Sequence, residues 1–298
     1  SLFPDTRTRL NSMDFAMKPL APLPVRQLLN RYHLTPSKGL GQNFLVDDEI
    51  LSEIVRIAEI PADSTVLEIG PGLGGLTRYL AEAADDVVAV ELDRRMIPPL
   101  KEVLKEYDHV RIIQGDILEI DPDSLIVDSA YSVVANIPYY ITSVVIRHLL
   151  NAKTKPRRIV LTVQKEVAQR ICAQPGDLSL LALSVQIFGS VSIPLTIPAD
   201  AFFPQPKVDS SVVKIDVYTE PLVSVAELDD FFRLAKAGFG QKRKTLRNSL
   251  SSDLRLSTSE VEAALAKAGI DPMRRAETVS IEEWKRLVES VPKNKNSR

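Results

Sequence analysis

The segment Thr65-Val-Leu-Glu-Ile-Gly70-Pro-Gly72-Leu-Gly74-Gly75-Leu-Thr77 constrains the fold of this chain more than any other stretch. A short apolar run broken by glycines and followed by a helical pattern predicts a buried parallel strand, a tight turn and a helix. Glycines let the backbone pass close beneath a ligand, and the amino end of the helix offers free amides. A second apolar run, Val87-Val-Ala-Val-Glu91, ends in a carboxylate about 20 residues after Gly70, the spacing at which an acid meets the ribose hydroxyls of a nucleoside. Strand, turn, helix and acid together predict an open α/β sheet with a nucleoside cofactor at its carboxyl edge.

Two more strand ends belong to the same rim. Val110-Arg-Ile-Ile-Gln114 finishes at Gly115-Asp116, where Asp116 suits an adenine amine, and Tyr131-Ser-Val-Val-Ala135 stops at Asn136-Ile-Pro138-Tyr139-Tyr140. Asn136 then offers a side-chain carbonyl, Ile137 and Pro138 offer main-chain carbonyls that no strand partner claims, and Tyr139 offers a flat aromatic face. That set fits a flat ring bearing an exocyclic amine, although the tetrapeptide alone reads equally as a strand-ending turn with one buried tyrosine. Apolar runs at 158–163, 191–197 and 211–217 bring the expected strands to seven, their order lying beyond sequence alone.

Composition removes several classes. A hydrophobic content of 45% over 298 residues supports an ordinary core in one large domain plus a small one. A single cysteine, Cys172, excludes an intramolecular disulfide framework, fits a reducing compartment, and reads as a small core residue. His33, His109 and His148 lie far apart without ligand-like neighbours, so no metal is expected. The formal charge of −2 means that a polyanionic partner must be met by a local patch, and no run is long enough to span a bilayer.

The flanks read as accessories to the rim. Residues 1–25 carry prolines and scattered charges without apolar periodicity, and are expected to be a flexible arm, a short organellar targeting remnant being the alternative. A short helix at 24–32 precedes Pro36-Ser-Lys-Gly39-Leu-Gly41-Gln-Asn43-Phe-Leu45-Val-Asp47, a loop able to close over a ligand. Asp47 or Asp48 is placed to cap the helix at 49–59. Ala201-Phe202-Phe-Pro204-Gln-Pro206-Lys-Val-Asp209 is a stiff, proline-spaced loop presenting aromatics.

Residues 26–220 make up the expected sheet domain, and 221–298 a helical one with helical periods at 225–238, 244–251, 259–268 and 281–290. Its first junction gathers Lys242, Arg243, Lys244 and Arg247 at a helix start, where the macrodipole disfavours cations. An outside anion such as phosphate would explain them; a solvated basic turn is the bland reading.

The rim chemistry distinguishes two cofactor classes. A nicotinamide dehydrogenase needs a proton donor beside the substrate carbon, and no strand-end His, Lys or Tyr pair is placed for it. The Asn136 turn instead suits methyl transfer from S-adenosylmethionine to an adenine amine. Acceptors at Asn136 and near Pro138 would hold the amine hydrogens and aim the nitrogen lone pair. Tyr139 would stack on the base, and Phe202 would cover its other face.

With these features together, the chain resembles the ribosomal RNA adenine N6,N6-dimethyltransferases, and among them the bacterial small-subunit (16S) branch. The matching segments are Lys38-Gly-Leu-Gly-Gln-Asn-Phe-Leu-Val-Asp47, Val66-Leu-Glu-Ile-Gly-Pro-Gly-Leu-Gly74, Val90-Glu-Leu-Asp93, Gly115-Asp116, Asn136-Ile-Pro-Tyr139, Phe202-Phe-Pro-Gln-Pro-Lys-Val-Asp-Ser210 and Lys244-Thr-Leu-Arg-Asn-Ser249. The resemblance implies a class I S-adenosylmethionine-dependent methyltransferase (Rossmann-like) sheet with an all-helical C-terminal domain. It implies cofactor roles for Asn43, Leu45, Gly70, Glu91, Asp116 and Asn136, and target-base roles for Asn136, Pro138, Tyr139 and Phe202. It also implies two adjacent adenines in the 3′-terminal hairpin loop of small-subunit rRNA, within a pre-30S particle, modified by a cytoplasmic monomer. Tyr140 stands where the family often has Asn. The rivals are the large-subunit (23S) enzyme of macrolide resistance, which shares the Asn-Ile-Pro-Tyr turn, and a non-catalytic RNA-binding assembly or transcription factor on the same fold.

Overall fold

The computed structural model describes residues 20–61, 63–126 and 130–291. Among them run nine strands: β1 Phe44–Leu45, β2 Thr65–Ile69, β3 Asp86–Glu91, β4 Val110–Gln114, β5 Tyr131–Asn136, β6 Arg158–Gln164, β7 Gly189–Ile197, β8 Phe202–Phe203 and β9 Ser210–Val217. Seven form one sheet in the order β4-β3-β2-β5-β6-β9-β7, and β1 pairs with β8 in a separate ribbon. The first five strands of that order are parallel; β9 runs antiparallel to both of its neighbours. All seven expected strands are present, while the ribbon, only two residues a side, is too short to give a sequence pattern.

Twelve α-helices accompany the strands: α1 Val25–Arg31, α2 Asp48–Ala58, α3 Gly75–Ala83, α4 Ile97–Val103, α5 Pro122–Leu125, α6 Thr142–Asn151, α7 Lys165–Ile171, α8 Leu180–Gln186, α9 Leu228–Phe239, α10 Leu246–Leu254, α11 Thr258–Ala268 and α12 Ile281–Ser290. None of the described helices is long and apolar enough to cross a membrane.

Alternation along the central strands sorts their side chains between two apolar layers. Val66, Val134, Val160 and Val212 point to one face and pack under α2 and α3 with Ile54, Val55, Tyr79 and Leu80. Leu67, Val133, Leu161 and Val213 point to the other, under Val145, Ile146, Ala168 and Leu183. Each such side chain, fully buried, contributes about 1.5–3 kcal/mol of transfer free energy. The second layer continues without a break into Phe231, Leu234, Leu246 and Trp284, so the C-terminal helices share the core of the sheet. The expected boundary at residue 220 falls in the connection after β9.

The N-terminal boundary requires correction. Val25 begins α1 and is 6% exposed, and Arg78 donates from Nη1 to the Ala21 carbonyl at 2.7 Å. Residues 20–25 are therefore docked on the sheet domain, and the part of the expected arm before residue 20 lies outside the described residues. Asp47 caps α2, accepting from the Ile50 amide at 3.0 Å, whereas Asp48 lies inside the first turn and accepts from the Tyr79 hydroxyl at 2.7 Å. In the C-terminal part, Ser257 with Glu260 and Ser280 with Glu283 form reciprocal capping boxes that start α11 and α12.

Candidate active site

From β2 the chain runs outward through β3 and β4, then crosses back to β5 on the opposite side of β2. This reversal opens a crevice at the carboxyl ends of β2 and β5. Gly70, Glu91, Asp116 and Asn136, following or ending β2, β3, β4 and β5, all line one pocket there. Asn43 and Leu45 line it from the preceding loop and β1, and Pro138, Tyr140 and Ile141 from the turn after β5.

The glycine turn is forced by its surroundings. Gly70 has φ +70°, and Gly72 has φ +57° with space for a Cβ only 2.9 Å from the Phe44 ring. A side chain at position 72 would be strained by the positive φ and would push against the Phe44 ring. Gly74 caps α3 without a side chain, and no acceptor among the described residues meets the Gly75, Leu76 or Thr77 amides. The start of α3, whose Gly75 and Leu76 line the pocket, is thus an open set of donors.

Glu91 is 5% exposed, and its two oxygens accept from the Gly72 amide at 2.9 Å and the Asp93 amide at 2.7 Å. Burial holds its carboxyl above the usual range, against the pull of these backbone donors. Each oxygen keeps a second lone pair, so the acid is oriented without being exhausted. Asp116 accepts from the Leu118 amide at 2.9 Å through Oδ1.

Asn136 is fixed through its nitrogen. Its Nδ2 donates to the Asn43 carbonyl at 3.1 Å, a bond that only the NH2 end of the amide can make. Its Oδ1 meets no donor among the described residues, so the acceptor expected from the sequence is free. The Pro138 carbonyl, expected to be unclaimed, takes a long bond of 3.3 Å from the Ile141 amide and keeps one lone pair. Tyr139 begins a 3-10 turn, Tyr139–Ile141, and its side chain lies outside the described residues.

Phe202 corrects the expectation of an exposed stacking face. It is 3% exposed, pairs with Leu45 across the β1/β8 ribbon, and packs with Val212 and Ile197 in the layer under α2 and α3. Its neighbour Phe203 lies opposite Phe44 and carries the Arg26 guanidinium 4.2 Å above its ring. A run of two aromatics does not say which one faces inward; pairing with β1 decides it.

Three contributors escape a reading of the sequence. Gln42 accepts from the Ser37 amide at 2.8 Å and donates to Asp93 Oδ2 at 2.9 Å, tying the 37–43 loop to the segment just after Glu91. Asp93 also pairs with Arg95 at 2.7 Å, which holds its carboxyl below the usual range. Glu68, 1% exposed in β2, lines the pocket, and burial pushes its carboxyl up to about 8, the nearby Glu91 adding to the shift. An acid inside an otherwise apolar central strand is the signal that could have found it.

The basic junction is only partly as expected. Lys242, Arg243 and Lys244 are exposed with no ion pair among the described residues, whereas Arg247 pairs with Glu262 at 3.0 Å. The first amides of α10 are also taken: Leu246 N donates to the Arg274 carbonyl at 2.7 Å and Arg247 N to the Pro272 carbonyl at 3.2 Å. The helix start is therefore not an anion cradle, and the cations act as side chains alone. Elsewhere, Cys172 is partly buried with its thiol pushed up to about 11 by burial, and the His109 and His148 rings each bond a backbone carbonyl.

With this geometry, residues 35–293 match the sequence model of the ribosomal RNA adenine dimethylase family. The chain is 46% identical over 263 residues to ribosomal RNA small subunit methyltransferase A of Dehalococcoides mccartyi strain CBDB1, covering 88% of this chain and 90% of that one. It is 44% identical over 281 residues to the protein of the same name from Alkaliphilus metalliredigens, covering 92% and 98%. Among solved structures it is similar to the 23S rRNA methyltransferase ErmE, with a TM-score of 0.69 and 31% identity over 84% of this chain and 99% of that one.

Proposed function

Because the chain belongs to the ribosomal RNA adenine dimethylase family, we propose that it transfers methyl groups from S-adenosylmethionine to N6 of two adjacent adenines, each modified twice, in the 3′-terminal hairpin loop of small-subunit (16S) rRNA. The substrate would be a pre-30S particle in the cytoplasm, and the enzyme a monomer. The single observation carrying the reading is the Asn136 amide, anchored through Nδ2 with Oδ1 left as a free acceptor at the switch point.

The pocket fits the cofactor in its donor chemistry. A glycine turn where a Cβ at position 72 would strike Phe44, three open amides at the start of α3 and an oriented buried carboxylate suit a nucleoside bearing an amino acid tail. Glu91 would accept from the ribose, Asp116 from the adenine amine, and Asn43, Leu45, Gly70 and Asn136 would line the remainder. When bound, S-adenosylmethionine supplies an electrophilic methyl carbon.

The chain's own residues supply aim. An adenine amine shares its lone pair with the ring and attacks poorly. In the first transfer Asn136 Oδ1 and the free lone pair of the Pro138 carbonyl would hold its two hydrogens, and in the second one of these acceptors would hold the hydrogen that remains, each time turning the nitrogen pyramidal and pointing its lone pair at the donor. Positive charge grows on that nitrogen during transfer, so the same acceptors bind the transition state more tightly than the ground state. The nitrogen's proton becomes acidic once the new bond forms, and no strong base is needed. Tyr139 would stack on the extruded base, a contact of about 1–3 kcal/mol. Phe202 would act indirectly, holding Leu45 in place across the ribbon.

Sequence identity favours the small-subunit substrate: 46% to the small-subunit relative against 31% to the 23S enzyme. The test is mass mapping of methyl groups on small subunits and, separately, on 23S rRNA from cells lacking the modification, after incubation with enzyme and S-adenosylmethionine. Two methyls on each of two neighbouring adenines are expected. Methylation confined to 23S rRNA, or no transfer at all, would sink the assignment.

A further inference from the structure

Next to the pocket along the chain lies a second surface feature. Tyr140, 60% exposed, lines the pocket, with its ring Cε1 3.6 Å from where a Cβ on Gly41 would lie. Four residues later Val144 is 44% exposed on α6, and three further on Arg147 is exposed. Val144 and Arg147 line a shallow depression that begins at Leu118, the residue after the pocket-lining Ile117. The two concavities are thus joined in sequence on both walls.

Positions 144 and 147 share one exposed face of α6, and Tyr140 stands in the 3-10 turn that leads into it. The row runs along the solvent side of α6, opposite the buried Val145, Ile146 and Leu149. It leaves an aromatic ring, an apolar side chain and a cation in solvent, and Arg147 has no hydrogen bond or ion pair among the described residues. The opposite wall limits what can bind: Glu119 and Asp121 are exposed there and would repel a phosphate lying beyond Arg147. Asp123 is occupied, its carboxylate accepting from the Lys153 and Thr154 amides at 3.1 and 2.9 Å.

We propose that Tyr140, Val144 and Arg147 form a subsite for one unpaired nucleotide flanking the target adenine in the same RNA strand. Its base stacks on Tyr140, its ribose lies against Val144 and its phosphate meets Arg147. The inference rests on the RNA-methyltransferase reading and deepens it, because an enzyme that must extrude a base gains by holding the neighbour that would otherwise restack on it. Adjacency to the donor pocket along both walls of the chain and the unpaired cation favour a nucleotide as occupant. The acidic far wall limits the footprint to one.

Three measurements test it on the full chain. In methylation of unmodified small subunits, Tyr140→Ala should raise the subunit concentration needed for half-maximal rate by about 5- to 100-fold, the range expected for removal of one base stack. Tyr140→Phe should stay within about twofold of wild type, and Arg147→Ala should lower the salt slope of binding by about one. Separately, a single-stranded oligoribonucleotide with 2-aminopurine beside an adenine should change its emission on binding wild type but not Tyr140→Ala. Loss with Phe equal to loss with Ala, an unaltered salt slope for Arg147→Ala, or emission changes independent of Tyr140 would each overturn the subsite. Tyr140-dependent emission from a wild-type protein that transfers no methyl would keep the subsite and overturn the enzymatic reading instead.

Discussion

Two of the helices that start without a side-chain cap, α3 and α10, have their free ends treated in opposite ways. At α3 the first amides meet no acceptor among the described residues and open toward a pocket whose acid and amide are anchored by backbone bonds. At α10 the amides of Leu246 and Arg247 are consumed by the Arg274 and Pro272 carbonyls, and three cations stand in solvent before them. The first arrangement fixes direction and can support chemistry, because its donors and acceptors cannot reorient as charge develops. The second supplies charge without direction, which suits a phosphate backbone that must be attracted before it is read.

The contrast can be broken at its strongest point first. Asn136→Ala should lower the single-turnover methylation rate by about 10²- to 10³-fold, equivalent to about 2.7–4 kcal/mol, with little change in RNA affinity. An unchanged rate would remove the directional acceptor and the distinction with it. Glu91→Ala strands two buried amides, at about 1–3 kcal/mol each, so calorimetric titration should show weakened cofactor binding and melting a lowered Tm. RNA affinity should hold; equal losses for both ligands would count against a ribose role.

Glu68 gives a pH signature to the pocket. With its folded carboxyl pushed up to about 8, above the ordinary value of 4.5, the folded chain binds the extra proton between those values. Its contribution to stability is complete below about 4.5 and is lost as pH rises toward 8. Relative to wild type, Glu68→Gln should therefore gain stability from pH 5 to 8, on the order of 1–3 kcal/mol, in denaturant titrations at each pH. A pH-independent difference would mean that Glu68 is charged throughout.

The smallest effects belong to the junction. Replacing Lys242, Arg243 and Lys244 by Ala should weaken RNA binding about tenfold and flatten its salt dependence by about one for each phosphate no longer neutralised. Arg247→Ala should leave that slope nearly untouched, since Glu262 already neutralises its guanidinium. A slope that responds to Arg247 and ignores the other three would reverse the comparison.

Legibility in the sequence follows the range of the interactions. Gly70, Glu91, Asp116 and Asn136 are readable because each sits at the end of an apolar run, and a strand's end is a local event. Asp47 as a cap and the periods of α11 and α12 are local in the same sense. Phe202 is misread from sequence because its facing depends on β1, over 150 residues away, and the pairing of Arg247 with Glu262 escapes notice because that partner lies on another helix. Gln42 escapes notice for the same reason: its partner Asp93 is separated by 51 residues.

Sequence by itself determined which groups this protein carries to the edge of its sheet, since strand ends, glycine turns and helix starts are set by neighbouring residues and their period. Only the tertiary structure decided which of those groups remain available. Whether an amide, a carboxylate or an aromatic face is open depends on what the rest of the chain lays against it. That is how the α3 amides stayed free, the α10 amides were taken, Phe202 was covered and Tyr140 was left bare.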